Sequence, residues 1–236
     1  MSNKPSNGSS NQPFRWDEAD AYLFDIDGTI LLSKDRTHRY AMHRAMRDVF
    51  GVDTTIDGIA YHGKTDPGIL RAALERVGIP SDVIDAKMPE ALEATRRDAA
   101  ENVARFTPTV LPGVPEVIEK LHQAGKLLAV SSGNLESIGW IKLNAAGLRQ
   151  YFQFGCFADD CELRAEVFEK GITEARHRLG PSASVCFIGD TPDDIHAARK
   201  VGGRIIAVGT GIYKPEELAP LAPDAIIATC EELLSP

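Results

Sequence analysis

The sequence contains no apolar run that approaches the roughly eighteen residues of a membrane span. Residues 1–16 consist mainly of Ser, Asn, Pro, Gln and other polar types, so this stretch lacks the hydrophobic region of a signal peptide. Cysteine is sparse: the four residues form no CxxC pair, and Cys186 lies in an apolar segment. Buried reduced thiols are therefore expected instead of zinc ligands or disulfides. We expect a soluble, cytoplasmic protein with a disordered polar tail at 1–16.

Positive charge is also in short supply, since 34 Asp and Glu outnumber 26 Lys and Arg and the formal net charge is -8 at pH 7. Proteins that bind nucleic acid usually carry a basic stripe, which this excess of acids does not provide. An anionic membrane surface is disfavoured for the same reason. We therefore expect neither nucleic acid nor a membrane as a partner. An anionic substrate would need a metal ion or a few local cations to attract it.

Two carboxylates follow the first apolar segment. Residues 23–29 read LFDIDGT, which predicts a strand that ends in Asp25 and Asp27. Side chains two residues apart on a strand project to the same side, so both acids lie together at the carboxyl end. Gly28 permits a tight turn there, and Thr29 adds a hydroxyl group beside it. Open α/β sheets bind their ligands at this edge.

Two later apolar segments also end in polar residues. Segment 185–189, VCFIG, stops at Asp190 and continues as TPDD, while segment 127–130 stops at Ser131. If these segments are parallel neighbours of the first strand, Asp190 joins the first two acids at one edge of the sheet. Asp is also common in turns and helix caps, and for any single one of these acids that simpler explanation stays open. The ordered set favours a functional site.

The order of DxDGT, a strand that ends in serine, and GDTPDD resembles the haloacid dehalogenase superfamily of phosphoryl-transfer enzymes. The resemblance covers residues 17–236, and the phosphoglycolate phosphatase-like and β-phosphoglucomutase-like subgroups look closest. It implies an α/β fold: a doubly wound, Rossmann-like parallel sheet with a small all-helical cap domain inserted.

The periodicity of apolar residues agrees with this organisation. Residues 36–107 show helical spacing almost throughout, with Asp66 expected as an N-cap and Pro89 as a break or a fresh start. Helices are expected at 37–50, 66–77 and 81–105. Further along, short apolar segments alternate with amphipathic ones, which is typical of a parallel sheet covered on both faces. We expect a core at 17–35 and 108–236 and a helical cap at 36–107.

The resemblance assigns roles to the carboxylates. Asp25 would attack phosphorus to form an aspartyl phosphate, and Asp27 would protonate the leaving oxygen and then activate water. Mg2+ would be held by carboxylate oxygens of Asp25 and Asp190 and by the backbone carbonyl of Asp27. Asp194 would support this metal site from behind, and Asp193 could take either task.

The resemblance also implies a set of phosphate ligands near a helix that begins close to Leu135. These ligands would be Gly28, Thr29, Ser131, Ser132, Gly133 and Asn134. The family's lysine is missing from residues 159–168, where Arg164 is the only cation and is therefore the expected replacement. Lys142 and Lys170 are weaker candidates, since their positions are more typical of solvated helix residues.

The expected cap contains His62 and Lys64 within the sequence HGKTD, between two predicted helices. A loop at this place could close over the site and contact the organic part of the substrate, so both are candidate specificity residues. The alternative for both is an exposed loop position without a role.

Together these features predict a magnesium-dependent phosphomonoester hydrolase that acts on a small phosphorylated metabolite through an aspartyl phosphate. Relatives that cleave carbon–halogen or carbon–phosphorus bonds generally lack an acid at the position of Asp27, which favours phosphatases and phosphomutases. A phosphomutase of the β-phosphoglucomutase type is the first alternative. A catalytically silent domain that binds phosphate or a partner is the second, because the family's lysine is missing.

Overall fold

A parallel six-stranded sheet forms the centre of the protein. The computed structural model describes residues 15–234, so most of the tail expected at 1–16 lies outside the described residues. The strands are β1 (Ala21–Phe24), β2 (Leu31–Leu32), β3 (Thr109–Val110), β4 (Leu127–Ser131), β5 (Phe154–Cys156), β6 (Val185–Gly189), β7 (Arg204–Val208) and β8 (Ala225–Ile227). The sheet has the order β5-β4-β1-β6-β7-β8, and β2 and β3 form a separate antiparallel pair.

Helices cover both faces of this sheet. The α-helices of the described residues are α1 (Thr37–Phe50), α2 (Asp66–Arg76), α3 (Ser81–Glu101), α4 (Val114–Gln123), α5 (Glu136–Ala145), α6 (Arg164–Leu179), α7 (Pro192–Lys200) and α8 (Pro215–Leu218). Alternate side chains of β1 point to opposite faces: Tyr22 and Phe24 pack with α4, and Leu23 packs with α6. The doubly wound parallel sheet expected from the sequence is confirmed.

The register of the central strands brings the strand ends that carry the sequence motifs to one edge of the sheet. Phe24, the last residue of β1, is paired with Val130 of β4 and with Ile188 of β6. Asp25 therefore follows β1 at the same level at which β4 reaches Ser131 and β6 approaches Asp190. Strands β1 and β6 are buried along their whole length, which explains their continuous apolar sequences.

The helices α1, α2 and α3 pack around their own apolar cluster. Helix α1 ends before Gly51, whose φ of 70° closes the helix, as the spacing predicts. The expectation that Asp66 is the N-cap of α2 is wrong, because Thr65 takes that position and its Oγ1 accepts a hydrogen bond from the N–H of Gly68 at 3.2 Å. Asp66 is the first helical residue.

Pro89 does not interrupt α3, which is one continuous helix. A proline inside a helix removes one backbone hydrogen bond, a cost that packing has to offset. Ile84, Met88 and Leu92 place buried side chains on both sides of Pro89, so the apolar face of α3 stays in contact with the cluster. The open question between one helix and two is thereby decided.

The sequence did not predict α8 or the short antiparallel pair that β2 forms with β3. The latter pair lies where the chain passes between the sheet and the helices α1–α3, with Leu31 opposite Val110. Asp35 strengthens this crossing, because its carboxylate accepts hydrogen bonds from the N–H of Thr37 at 2.8 Å and of Thr107 at 3.0 Å. Both passages of the chain are thus joined.

Within residues 15–234, no helix is long and apolar enough to cross a membrane. All four cysteines of the chain are buried and none is in a disulfide, as expected from their spacing.

Candidate active site

Three carboxylates converge at the carboxyl edge of the sheet. One oxygen from each of Asp25, Asp190 and Asp194 lies within 4.8 Å of the others, and all three residues are buried. Asp193 points elsewhere, since its carboxylate forms an ion pair with Lys64 at 2.6 Å. The geometry therefore separates the two acids whose roles the sequence left open: Asp194 faces the other carboxylates, and Asp193 faces Lys64 in the loop between α1 and α2.

The turn after β1 allows the close approach of Asp190. Gly28 has a φ of 91°, and a Cβ atom at this position would lie 2.4 Å from Oδ2 of Asp190, so only glycine fits. The Thr29 hydroxyl donates to Oδ1 of Asp190 at 3.2 Å, and the Gly28 N–H donates to the Leu31 carbonyl at 2.9 Å. The sequence predicted that both donors face phosphate, but in this structure they donate to other groups of the protein.

Arg164 brings a cation into contact with the acids. It is the first residue of α6 and is 7% exposed. One terminal nitrogen lies 2.7 Å from Oδ1 of both Asp25 and Asp194, and Nε donates to the same Asp194 oxygen at 2.8 Å. Lys170, by contrast, is partly exposed and pairs with Asp160. Of these two cations, Arg164 is the one in contact with Asp25.

The site carries more negative charge than Arg164 balances. Burial raises the pKa of Asp25, and the charges of Asp194 and Asp27 add to this effect while Arg164 opposes it. Burial, together with the charges of Asp25 and Asp194, raises the pKa of Asp190 well above its usual range. Buried oxygen ligands that repel one another suit a small divalent cation. The donor set therefore fits Mg2+.

Asp27 is paired with Lys142 and not with Arg164. Its Oδ2 accepts hydrogen bonds from Nζ of Lys142 at 2.6 Å and from Nδ2 of Asn134 at 2.8 Å. Burial alone would raise the pKa of Asp27, but the Lys142 charge and both hydrogen bonds outweigh it and hold that pKa below its ordinary value. The interpretation of Lys142 as a solvated helix position is wrong, because its side chain is only 3% exposed.

A sequence signal for this burial exists. Lys142 lies on the same face of α5 as Ile138, Gly139 and Leu143, all of them buried. A single lysine within an apolar helical stripe is either buried with a partner or a disruption of the stripe. The position of one lysine among apolar neighbours on a helix face could therefore have indicated that Lys142 is buried with a partner.

The loop after β4 presents polar groups to the same edge. The Ser131 hydroxyl is buried and has no hydrogen-bond partner among the described residues. The N–H of Ser132 is not free, since it donates to the Cys156 carbonyl at 3.0 Å, and the Ser132 hydroxyl accepts from Nδ2 of Asn134 at 2.8 Å. An unpartnered buried hydroxyl is costly without a ligand, so Ser131 marks a position for an acceptor.

The segment that carries α1, α2 and α3 contacts this loop directly at the start of α2. The N–H of Asp66 donates to the Gly133 carbonyl at 2.7 Å, and Oδ2 of Asp66 accepts from the N–H of Leu135 at 2.8 Å. A Cβ atom at Gly133 would lie 2.3 Å from the Lys64 carbonyl oxygen, so glycine is required for this contact. The sequence assigned Asp66 only to a helix end and missed this contact.

A cavity of about 690 Å³ lies between the acids and the segment that carries α1, α2 and α3. Asp25, Asp27 and Asp190 line its floor. Its opposite wall includes Met42, Ile56, Tyr61, His62, Lys64 and Ile69. The rings of Tyr61 and His62 are stacked with centroids 4.3 Å apart. The expected specificity residues therefore line the cavity, although half of the Lys64 side chain is exposed and its ammonium is paired with Asp193.

A family model for haloacid dehalogenase-like hydrolases matches residues 19–202. The chain belongs to the haloacid dehalogenase-like hydrolase family. This confirms the resemblance drawn from the three motifs and the expectation of a phosphatase-type enzyme.

This chain is similar to curated proteins and to solved structures. It is 29% identical over 226 residues to a probable phosphatase, IndB, of Dickeya dadantii, with 90% of each chain covered. It is 26% identical over 214 residues to a phosphoglycolate phosphatase of Synechococcus elongatus, with 91% of this chain and 95% of the relative covered. The crystal structure of CbbY from Rhodobacter sphaeroides in complex with phosphate has a TM-score of 0.68 at 22% identity, over 91% of this chain and 96% of CbbY. This last likeness is one of fold.

Proposed function

We propose that this chain hydrolyses phosphomonoesters of small metabolites with the help of Mg2+ and with Asp25 as the nucleophile. The observation that carries the proposal is the buried contact of Asp25 with Arg164, beside Asp190 and beneath the cavity. A nucleophilic carboxylate has to be held in one orientation, and it has to lie close to a cation that offsets the negative charge of the incoming phosphate dianion. Both conditions are met at Asp25.

The reaction proceeds in two steps on the chain's own residues. An oxygen of Asp25 attacks phosphorus in line and the ester P–O bond breaks. Asp27, which has first taken up a proton from solvent on its free oxygen Oδ1, passes that proton to the departing alkoxide. Asp27 then takes a proton from a water molecule, whose oxygen attacks phosphorus and frees the Asp25 carboxylate with inorganic phosphate. Arg164 fixes the orientation of Asp25 throughout, through its second contact with Asp194.

Mg2+ would be held by Asp25, Asp190 and the backbone carbonyl of Asp27, with Asp194 acting on the site through Arg164. When bound, the ion neutralises charge on the ester and on the carboxylates. Ser131 would donate to a phosphate oxygen, supported by its buried, unpartnered hydroxyl. The phosphate site would be completed by Gly133, Asn134 and the start of α5. Its shape would be set by residues that do not contact phosphate directly, namely Gly28, Thr29 and Ser132.

We further infer that residues 36–107 form a cap domain that covers the site of a core at 17–35 and 108–236. The separate apolar cluster of α1–α3 and the contact of Asp66 with the loop at Gly133 support this division. His62 and Lys64 would contact the substrate from the cap.

The cavity favours an alcohol larger than glycolate. Its volume of about 690 Å³ is that of a pocket for a drug-sized ligand, typically about 300–1,000 Å³. Burial lowers the pKa of His62, so the stacked rings of Tyr61 and His62 form a flat and uncharged wall near neutral pH. The substrate we propose is a phosphomonoester whose alcohol carries a ring.

A screen of the purified protein with Mg2+ against phosphoglycolate, hexose phosphates and nucleoside monophosphates tests this function. We expect release of inorganic phosphate, its loss on chelation of Mg2+, and a kcat/KM for ring-bearing esters about tenfold or more above that for phosphoglycolate, or about 1.4 kcal/mol. Activity unaffected by chelation would contradict the metal dependence. Bisphosphate-primed isomerisation of a hexose phosphate with little phosphate release would identify a mutase instead.

Mg2+ is also expected to stabilise the protein without substrate, because it relieves repulsion between Asp25 and Asp190. At a Mg2+ concentration about 100 times its Kd the gain is about 2.7 kcal/mol. For a chain of this size that gain corresponds to a rise in Tm of roughly 5–10 °C. Thermal unfolding with and without Mg2+ measures it. Asp190→Asn should lose the shift and the exposed Asp160→Asn should keep it; equal shifts in both variants would place Mg2+ elsewhere.

A further inference from the structure

Lys142 is a buried cation that the phosphate chemistry proposed above does not use. Its ammonium group lies 2.6 Å from Oδ2 of Asp27 and 2.7 Å from Oδ1 of Asn134, at the inner end of the cavity. Burying an ammonium group is unfavourable unless it is paired and hydrogen-bonded, and these two contacts satisfy that condition. The cation that contacts the nucleophile is a different one, Arg164. A second buried cation therefore serves Asp27.

The three residues form a network with only one arrangement. A lysine can only donate, and the unprotonated Oδ2 of Asp27 can only accept, so the amide of Asn134 must turn its oxygen to Lys142 and its nitrogen to Asp27. Oδ2 of Asp27 thus receives two donors, from Lys142 and Asn134. Oδ1 of Asp27 accepts no hydrogen bond from residues 15–234, and 42% of the Asp27 side chain is exposed toward the cavity.

We propose that Lys142 is a positioning residue that fixes the carboxylate of Asp27, so that Oδ1 alone exchanges protons with the leaving group and with water. The inference rests on the proposed function, since it assigns an atom to the proton transfer of that reaction. With Oδ2 held from behind, the carboxylate cannot rotate about its Cβ–Cγ bond without losing both donors. Oδ1 is then directed into the cavity, where the ester oxygen leaves.

A positioning role has a signature in the leaving group. An alkoxide leaves only if it receives a proton, whereas p-nitrophenolate leaves without one. Since kcat/KM reports steps up to the first bond cleavage, loss of the Asp27 orientation lowers kcat/KM for an alkyl phosphate and spares p-nitrophenyl phosphate. A lysine that bound phosphate, or one that only held the fold together, would affect both esters alike.

The test compares the wild type with Lys142→Met on propyl phosphate and p-nitrophenyl phosphate at saturating Mg2+. We expect kcat/KM to fall by about 100-fold for propyl phosphate, the lower range of general acid catalysis, and by less than about threefold for p-nitrophenyl phosphate. Inhibition by inorganic phosphate should be unchanged. Lys200→Met, an exposed lysine near the end of α7, is the matched control and should leave both values unchanged.

Lys142→Gln provides a second variant that keeps a donor toward Asp27. It should recover part of the propyl phosphate activity, and it carries the comparison if Lys142→Met does not fold. Equal losses on both esters, weaker phosphate inhibition, or no loss at all would overturn the proposal, and so would the failure of both variants to fold. A wild type that hydrolyses neither ester would instead overturn the proposed function.

Discussion

Asp25→Asn is expected to lower the rate of phosphate release by roughly four orders of magnitude or more, because the variant lacks the nucleophile. An amide of the same shape cannot attack phosphorus, so no covalent intermediate forms. The fold should persist, because the change removes one of three crowded carboxylates and Arg164 keeps its contact with Asp194. Initial rates with a reactive aryl phosphate measure the loss, and thermal unfolding checks the fold.

The matched control is Asp160→Asn, which removes an exposed carboxylate outside the cavity. Its turnover should equal that of the wild type. A folded Asp25→Asn variant with near-normal turnover would show that another group attacks phosphorus, and the two-step mechanism would then be wrong.

Arg164→Ala is expected to reduce kcat by about 100-fold or more, equivalent to about 3 kcal/mol of lost transition-state stabilisation. The guanidinium orients Asp25 and offsets its charge, and alanine does neither. The variant should also unfold at a lower temperature, because Asp25 and Asp194 lose their shared buried partner. Rates at saturating substrate and thermal unfolding curves measure the two effects separately.

Arg164→Lys should recover part of the rate, since an ammonium group can reach one of the two carboxylates but not span both. Arg178→Ala removes a partly exposed arginine from the same helix and is the control for helix stability. Full activity in a folded Arg164→Ala variant would mean that the site needs no cation at this position.

The positions of Asp25, Ser131 and Asp190 could be predicted because parallel strands present their carboxyl ends at one edge of a sheet. Each of these residues directly ends or follows an apolar segment, so local pattern and topology agree. Arg164 was predicted because it is the only cation in residues 159–168, where the resemblance to the family implies a lysine, and it lies in contact with Asp25.

The contacts of Lys142 and Asp66 could not be predicted in the same way. Each joins elements far apart in the sequence: Lys142 lies 115 residues from Asp27, and Asp66 lies 69 residues from Leu135. Local periodicity states which face of a helix is buried but not what lies opposite that face. The same limit applies to Pro89, because only the packing of α3 on both sides of it decides that the helix continues.

The hydrogen bonds of Asp66 to Gly133 and Leu135 mean that the loop around Ser131 is completed by the segment above it. If that segment swings away to admit an ester, the loop loses two of the bonds that define its shape. In that case substrate would meet a loop that lacks these two bonds, and the bonds would form again only when the segment returns. The movement that opens a path for inorganic phosphate would then also weaken the loop that binds it, so that opening and release of phosphate would occur together.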